Sequence, residues 1–209
     1  ALYHTAKERL IALGGVPVTI DFSPFLAAAK LLYDGPWVAE RYHVAGALIE
    51  QQPDAVLPVI RNVLQKAPAM SAVAAFEAQY QLQAYKSECD AILVGLECVL
   101  TPTYPRPVSL AELAEEPVKR NSELGLYTNF MNLLDYAAVA VPAGFMANGL
   151  PSGITLFGRA FTDQYLLSLA DALQRHQMLT LPGGREMQGD APASTATDDR
   201  LHLVVCGAH

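Results

Sequence analysis

The sequence predicts an α/β fold, a mixed sheet flanked by helices, and three observations carry that prediction. Two short apolar strands, Ala137 to Val141 and Ile154 to Phe157, stand either side of a connection broken by Pro142, Gly144, Asn148, Gly149 and Pro151, which is the pattern of a hairpin. Ala and Val occupy both faces of these strands, so each should be covered on two sides, as in the middle of a layered α/β sheet. Elsewhere, capped helical stretches alternate with apolar strand-like runs along the chain. With 52% hydrophobic and 17% charged residues, the 209-residue chain has enough apolar surface for a sizeable core.

The elements follow in order. Ala1 to Leu13 is an amphipathic helix, with Tyr3, Leu10 and Leu13 apolar, Lys7, Glu8 and Arg9 polar, and Gly14 and Gly15 as its stop. Val16 to Ile20 reads as a buried strand. Ser23 suits an N-cap with Pro24 at the first helical position, opening a helix from Phe25 to Tyr33 that Gly35 and Pro36 interrupt. A second helix runs from Val38 to Glu50. Pro53 to Lys66 is helical with a break near Pro58, and Ser71 caps a longer helix to Glu88 that carries Phe76, Tyr80, Leu82 and Tyr85 partly on one side. Ile92 to Thr101 is strand-like, with Gly95 as a bulge or extra turn. Ser109 and Glu112 form a capping box for a short helix that Pro117 ends. After the hairpin, Thr162 caps a helix on which Leu166, Leu169, Ala170 and Leu173 recur at helical spacing.

Composition then shifts. Residues 178–200 hold almost no large apolar side chain and read as an exposed linker, so the core should span residues 1–177. Leu201 to Cys206 resumes as a strand, and residues 201–209 read as the first strand of a following, truncated domain.

The formal net charge of −7, with no local Lys/Arg cluster, excludes a nucleic-acid partner or an anionic membrane surface. No apolar run reaches the roughly 18 residues that span a bilayer, and no secretory segment opens the chain. A cytoplasmic location is the resulting expectation. Cys89, Cys98 and Cys206 follow no CxxC or Cys/His ligand spacing, so they read as reduced, buried thiols, with no metal and no cofactor implied. His43 and His176 lack carboxylate or Cys partners at ligand spacing. The apolar run from Val44 to Ile49 suits either the core or a partner subunit, which leaves a homo-oligomer open.

The run Asn129-x-x-x-x-Leu134-Asp135-x-x-Ala138-x-x-Val141-Pro142-x-Gly144, followed by Gly149-Leu-Pro-x-Gly153, resembles the C-terminal part of the amidase signature family. The resemblance sharpens at Asp21 to Tyr42 and at Asn121-Ser-Glu-Leu-Gly-Leu-Tyr-Thr-Asn-Phe, where the sequence is similar to the allophanate hydrolase branch of that family. It extends to about His176 and so covers most of the chain. This resemblance implies a serine amidohydrolase that splits allophanate, N-carboxyurea, without a cofactor. It also implies a Ser-Ser-Lys catalytic set carried on a Gly/Ser-rich segment that precedes the region matched. No such run and no G-x-S-x-G elbow occurs in these 209 residues, so no catalytic residue is assigned within them and the serines and lysine are expected upstream.

Substrate-binding residues are implied at Tyr33 and Arg41, which match the Y-x-G-P-W-x-x-x-R pattern of that branch. Taken alone, Tyr33 is an amphipathic helix-end residue and Arg41 a solvated one. Within the pattern they suit a small anion, because a guanidinium makes a two-pronged contact to a carboxylate and a phenol orients it. Trp37 reads as packing. Thr101 and Thr103 sit at a strand end where open α/β sheets place ligands, yet a Thr-Pro-Thr turn is mostly a turn, and they stay outside the site. Expressed alone, the chain is expected to be poorly soluble and inert towards allophanate. Two other functions compete: a non-catalytic binding or assembly module, and an amidase of the same family that takes a neutral amide.

Overall fold

The computed structural model describes residues 2–177, which form one unit with three layers. The linker and strand expected at residues 178–209, with Cys206, lie outside the described residues. A three-stranded antiparallel sheet forms the middle layer, in the order β1-β3-β2. Its strands are β1, Val99–Pro102, β2, Tyr136–Phe145, and β3, Pro151–Arg159. β2 and β3 make the expected hairpin, longer than its apolar centre, with Val139 opposite Leu156 and an irregularity between Pro142 and Gly144. The expectation of double-sided cover holds for β3, where Ile154 to Gly158 are all buried. It fails for β2, whose Ala138 and Ala140 are exposed, because β2 is an edge strand of this sheet.

Alternation along the strands sends two apolar sets to opposite faces. Ala137, Val141, Ile154 and Leu156 meet Ala6 of α1, Leu2–Ala12, and Leu166, Ala170 and Leu173 of the C-terminal helix. That helix, Asp163–Gln177, shows the helical spacing expected of it. Its lead-in Thr162 donates its hydroxyl to the Arg159 carbonyl at 2.7 Å, a turn contact in place of the expected cap.

The other face carries Tyr136, Phe157 and Val99 against Phe25 and Ala28 of α2, Ser23–Asp34, and Phe130 and Leu134 around a short helix, Asn129–Leu133. α2 starts one step earlier than expected. Ser23 is its first residue and makes no side-chain cap; its own N–H donates to the Asp21 carboxylate at 2.9 Å, so Asp21 satisfies the first end amide of the helix. Next come α3, Trp37–Gln51, and α4, Pro58–Leu64, with single 3-10 turns at Pro53–Ala55 and Ala67–Ala69. These pack Val38, Ile49, Leu64 and Ala67 into a separate cluster. α3 divides its apolar residues: Ile49 is buried, whereas Val44 is 82% exposed.

Ser71 caps α5, Ala72–Ile92, accepting from the Ala74 N–H at 3.1 Å. α5 runs past the expected end and takes the start of the expected strand, so Ile92 is helical and only Val99 to Pro102 is extended. Gly95, at φ +76, makes the turn between them. Leu82 and Tyr85 pack on the core, while Phe76 and Tyr80 are exposed. The expected buried strand from Val16 to Ile20 is absent. The segment has no regular secondary structure, and Val16 and Val18 are 86% and 63% exposed, since β1 and β2, at the two edges of the sheet, each pair with β3 alone.

No helix among the described residues is long and apolar enough to cross a membrane. Cys89 is buried and Cys98 partly so, and burial pushes their thiols up to about 12 and about 11.

Phe157 is fully buried where three aromatic rings meet, so Phe157→Ala should lower unfolding stability by about 3–5 kcal/mol, read from urea denaturation. A loss below about 1 kcal/mol would show that the sheet does not depend on this contact.

Candidate functional site

The break between α2 and α3 creates the site. Gly35 caps α2, its N–H donating to the Leu31 carbonyl at 2.9 Å, and the chain turns through Pro36 into Trp37. A Cβ on Gly35 would lie 2.5 Å from the Leu31 oxygen and 3.0 Å from the Trp37 ring, so only glycine admits this close approach. Trp37 packs over the turn, as expected. The result is that the end of α2 and the second turn of α3 face each other.

Tyr33 and Arg41, eight positions apart, meet across this turn. The Arg41 guanidinium lies over the Tyr33 ring, 5.5 Å from its centroid. Among the described residues no carboxylate pairs with Arg41. Both side chains are half-buried and line a cavity of about 390 Å³. The rest of the wall is largely hydrocarbon, from Val59, Ile60, Val63 and Leu64 of α4 and from two short helices, α6, Leu110–Glu115, and α7, Pro117–Leu124. Between them these supply Leu113, Pro117 and Val118, together with Asn121. The Asn121 side-chain amide donates to the Tyr33 hydroxyl at 3.4 Å.

This second wall is what the sequence reading missed. α6, Leu110–Glu115, has the expected capping box: the Ser109 hydroxyl accepts from the Glu112 N–H at 3.2 Å, and the Ser109 N–H donates to the Glu112 carboxylate at 2.9 Å. Pro117 ends α6 but also opens α7, Pro117–Leu124, since proline suits a first helical position as well as it suits a stop. The signal was therefore present. Asn121 opens the Asn-Ser-Glu-Leu-Gly-Leu-Tyr run, but only the unrecognised helix brings it to Tyr33.

Charges tie α6 to α7. Arg106 pairs with Glu112 at 2.9 Å and Glu123 at 3.4 Å, and Arg120 pairs with Glu123 at 2.7 Å and Glu116 at 2.6 Å. Each pair is modest when partly exposed, but shared partners make a network in which one ordered side chain serves two contacts. Hydrogen bonds from Ser109, first its backbone N–H and then its hydroxyl, hold the Glu112 carboxyl down at about 2, with Arg106 assisting.

The remaining candidates lie elsewhere. Thr101 and Thr103 stay outside the cavity, and the Thr103 and Thr155 hydroxyls are 3.0 Å apart. His43 and His176 are exposed. Among the described residues no group of three His, Cys, Asp or Glu side chains is gathered as metal ligands. The arrangement presents one cation and one phenol at the mouth of an apolar cavity, which suits a small anion and supplies no nucleophile.

Comparison with known proteins agrees with this architecture. The family model described as Amidase matches residues 1–167, and the chain belongs to the amidase family. Over the whole chain it is 39% identical to urea amidolyase of Lachancea kluyveri and 36% identical to urea amidolyase of Saccharomyces cerevisiae, in each case spanning 12% of the relative's length. The solved structure of Kluyveromyces lactis allophanate hydrolase superposes with a TM-score of 0.81 at 38% identity, covering 85% of this chain and 29% of that one.

Because Glu112 is held below its ordinary value near 4.5, its contribution to the α6 cap is fully present above that value and fades as pH falls through about 2. Ser109→Ala should raise the Glu112 titration midpoint, followed by carboxyl NMR. An unmoved midpoint would remove the Ser109 hydroxyl from the cause.

Proposed function

We propose that this chain forms the substrate clamp of an allophanate hydrolase, a cytoplasmic serine amidohydrolase that converts allophanate to ammonia and carbon dioxide. The observation that supports it most is the meeting of Tyr33 and Arg41 in one cavity, since the two residues implied by the family pattern need not have come together. The relatives named above, urea amidolyase and allophanate hydrolase, favour this substrate over a neutral amide.

In this scheme the Arg41 guanidinium takes the allophanate carboxylate in a two-pronged, charge-assisted contact, and the Tyr33 O–H donates to the same group. Anchoring that end presents the terminal amide carbon to a serine carried on a segment outside these 209 residues. Attack there forms an acyl-enzyme and expels ammonia; water then cleaves the acyl bond, and the N-carboxycarbamate released breaks down to carbon dioxide and the second ammonia. The contribution of the clamp is orientation. Fixing a small anion at one end converts an encounter between two free groups into a positioned reaction. No metal or organic cofactor enters this scheme.

Lysine keeps the charge of Arg41 but loses the planar fork. In the full-length enzyme, Arg41→Lys should therefore lower kcat/KM for allophanate by about 10- to 100-fold, the range expected for losing a bidentate charged contact, while the thermal midpoint barely moves. Unchanged kinetics would remove Arg41 from the clamp, and simple aliphatic amides outcompeting allophanate with Arg41 dispensable would favour a neutral-amide enzyme.

A further inference from the structure

Of the side chains lining the cavity, three are polar, and their hydrogen-bonding capacities are unequal. Arg41 can only donate. Tyr33 accepts from the Asn121 amide, so its own O–H proton is left to point at a ligand. Asn121 commits its nitrogen to Tyr33 and retains a side-chain carbonyl oxygen that accepts no hydrogen bond from the described residues. Its backbone is occupied separately, since the Asn121 carbonyl accepts from the Gly125 N–H at 3.2 Å inside the turn that ends α7. The side chain lines the cavity and makes no other hydrogen bond among the described residues.

A carboxylate alone would be satisfied by donors, and an acceptor beside it would be idle or mildly repulsive. The acceptor becomes useful when the ligand carries an N–H next to its anionic end. Resting on the allophanate reading above, we propose that Asn121 is a further specificity-determining residue of this site. Its nitrogen sets the direction of the Tyr33 hydroxyl, and its carbonyl oxygen accepts the N–H that lies between the carboxylate and the carbonyl of an N-carboxyurea. Malonamate is the fitting control. It has the same charge and nearly the same shape, but a CH2 stands where allophanate has that N–H, so only allophanate can use the Asn121 oxygen. Sites built to read an N–H discriminate through the unpaired group that the wrong ligand leaves behind.

The test uses the full-length enzyme and its Asn121→Ala variant, with allophanate and malonamate as ligands. Alanine on the exposed face of a helix keeps the helix. The readout is kcat/KM for each ligand, or an inhibition constant where malonamate is not turned over. The wild type should prefer allophanate. The variant should lose that preference by about 3- to 10-fold, the span of one net hydrogen bond, chiefly through KM. Loss of Tyr33 orientation alone would weaken both ligands equally and leave the ratio unchanged, which overturns the proposed contact to the N–H. A wild type indifferent to the two ligands overturns it as well. A full-length enzyme that cleaves no allophanate at all refutes the parent reading instead, so the two failures are distinguishable.

Discussion

The structure depends first on a three-way aromatic contact. Phe25 of α2, Phe130 of the short helix beside it and Phe157 of the central strand lie with centroids 5.2 to 5.8 Å apart, their planes crossing at 66° to 70°. Rings at such distances and tilts place a positive edge against a negative face, a preference worth about 0.5–1.5 kcal/mol per pair beyond the burial itself. All three are fully buried. The contact therefore does more than fill space, because it sets the direction in which α2 leaves the sheet. Tyr136 closes the same cluster from β2, with its hydroxyl donated to Asp90 at 2.8 Å, and burial together with that carboxylate raises its titration above the ordinary phenol value.

The direction of α2 decides where Tyr33 stands, and the Gly35-Pro36-Trp37 turn decides where Arg41 stands. Magnitudes show which is cause and which is consequence. An Arg stacked on a Tyr ring at a partly exposed site is worth about 0.5–1 kcal/mol, too little to hold two helices in register. Burying one Phe side chain contributes about 1.5–3 kcal/mol, and the cluster under α2 buries several. The stack between Arg41 and Tyr33 is therefore imposed by packing below it. A site of this kind is preorganised: its geometry is set by folding and is already present when a ligand arrives.

What could be read in the sequence follows the range of the interaction. The hairpin, the Ser71 cap, the Ser109 and Glu112 box and the break at Gly35 and Pro36 are written within a few residues, and each was readable. Tyr33 and Arg41 came from the family pattern, since each taken alone reads as an ordinary helix residue, and the turn between α2 and α3 puts the two side by side. The failures have non-local or ambiguous causes. Val16 to Ile20 has strand chemistry, but pairing needs a neighbour, and no strand of this sheet pairs with it. Ile92 belongs to α5 because Cys89 and Leu93 find the core by continuing the helix. Pro117 is both a stop and a start, and reading it only as a stop concealed α7 and with it Asn121. The α4 side of the cavity had no local signature, since Val59, Ile60 and Val63 look like any apolar helix face until α6 and α7 are placed opposite.

The apolar wall has an electrostatic consequence for Arg41. Hydrocarbon on most sides lowers the local dielectric, so a carboxylate docked on the guanidinium is held more strongly than it would be on an open surface. The same wall penalises the empty state, because a cation without a carboxylate partner is poorly solvated there. Two features limit that penalty. Arg41 is only half-buried, so water still reaches its charge, and the face of the Tyr33 ring offers it a weak negative potential without neutralising it. A salt bridge from the protein would offset that penalty, but it would also occupy the guanidinium edge that the proposed carboxylate contact uses. Stacking on a phenol instead of pairing with a carboxylate keeps Arg41 oriented, charged and open.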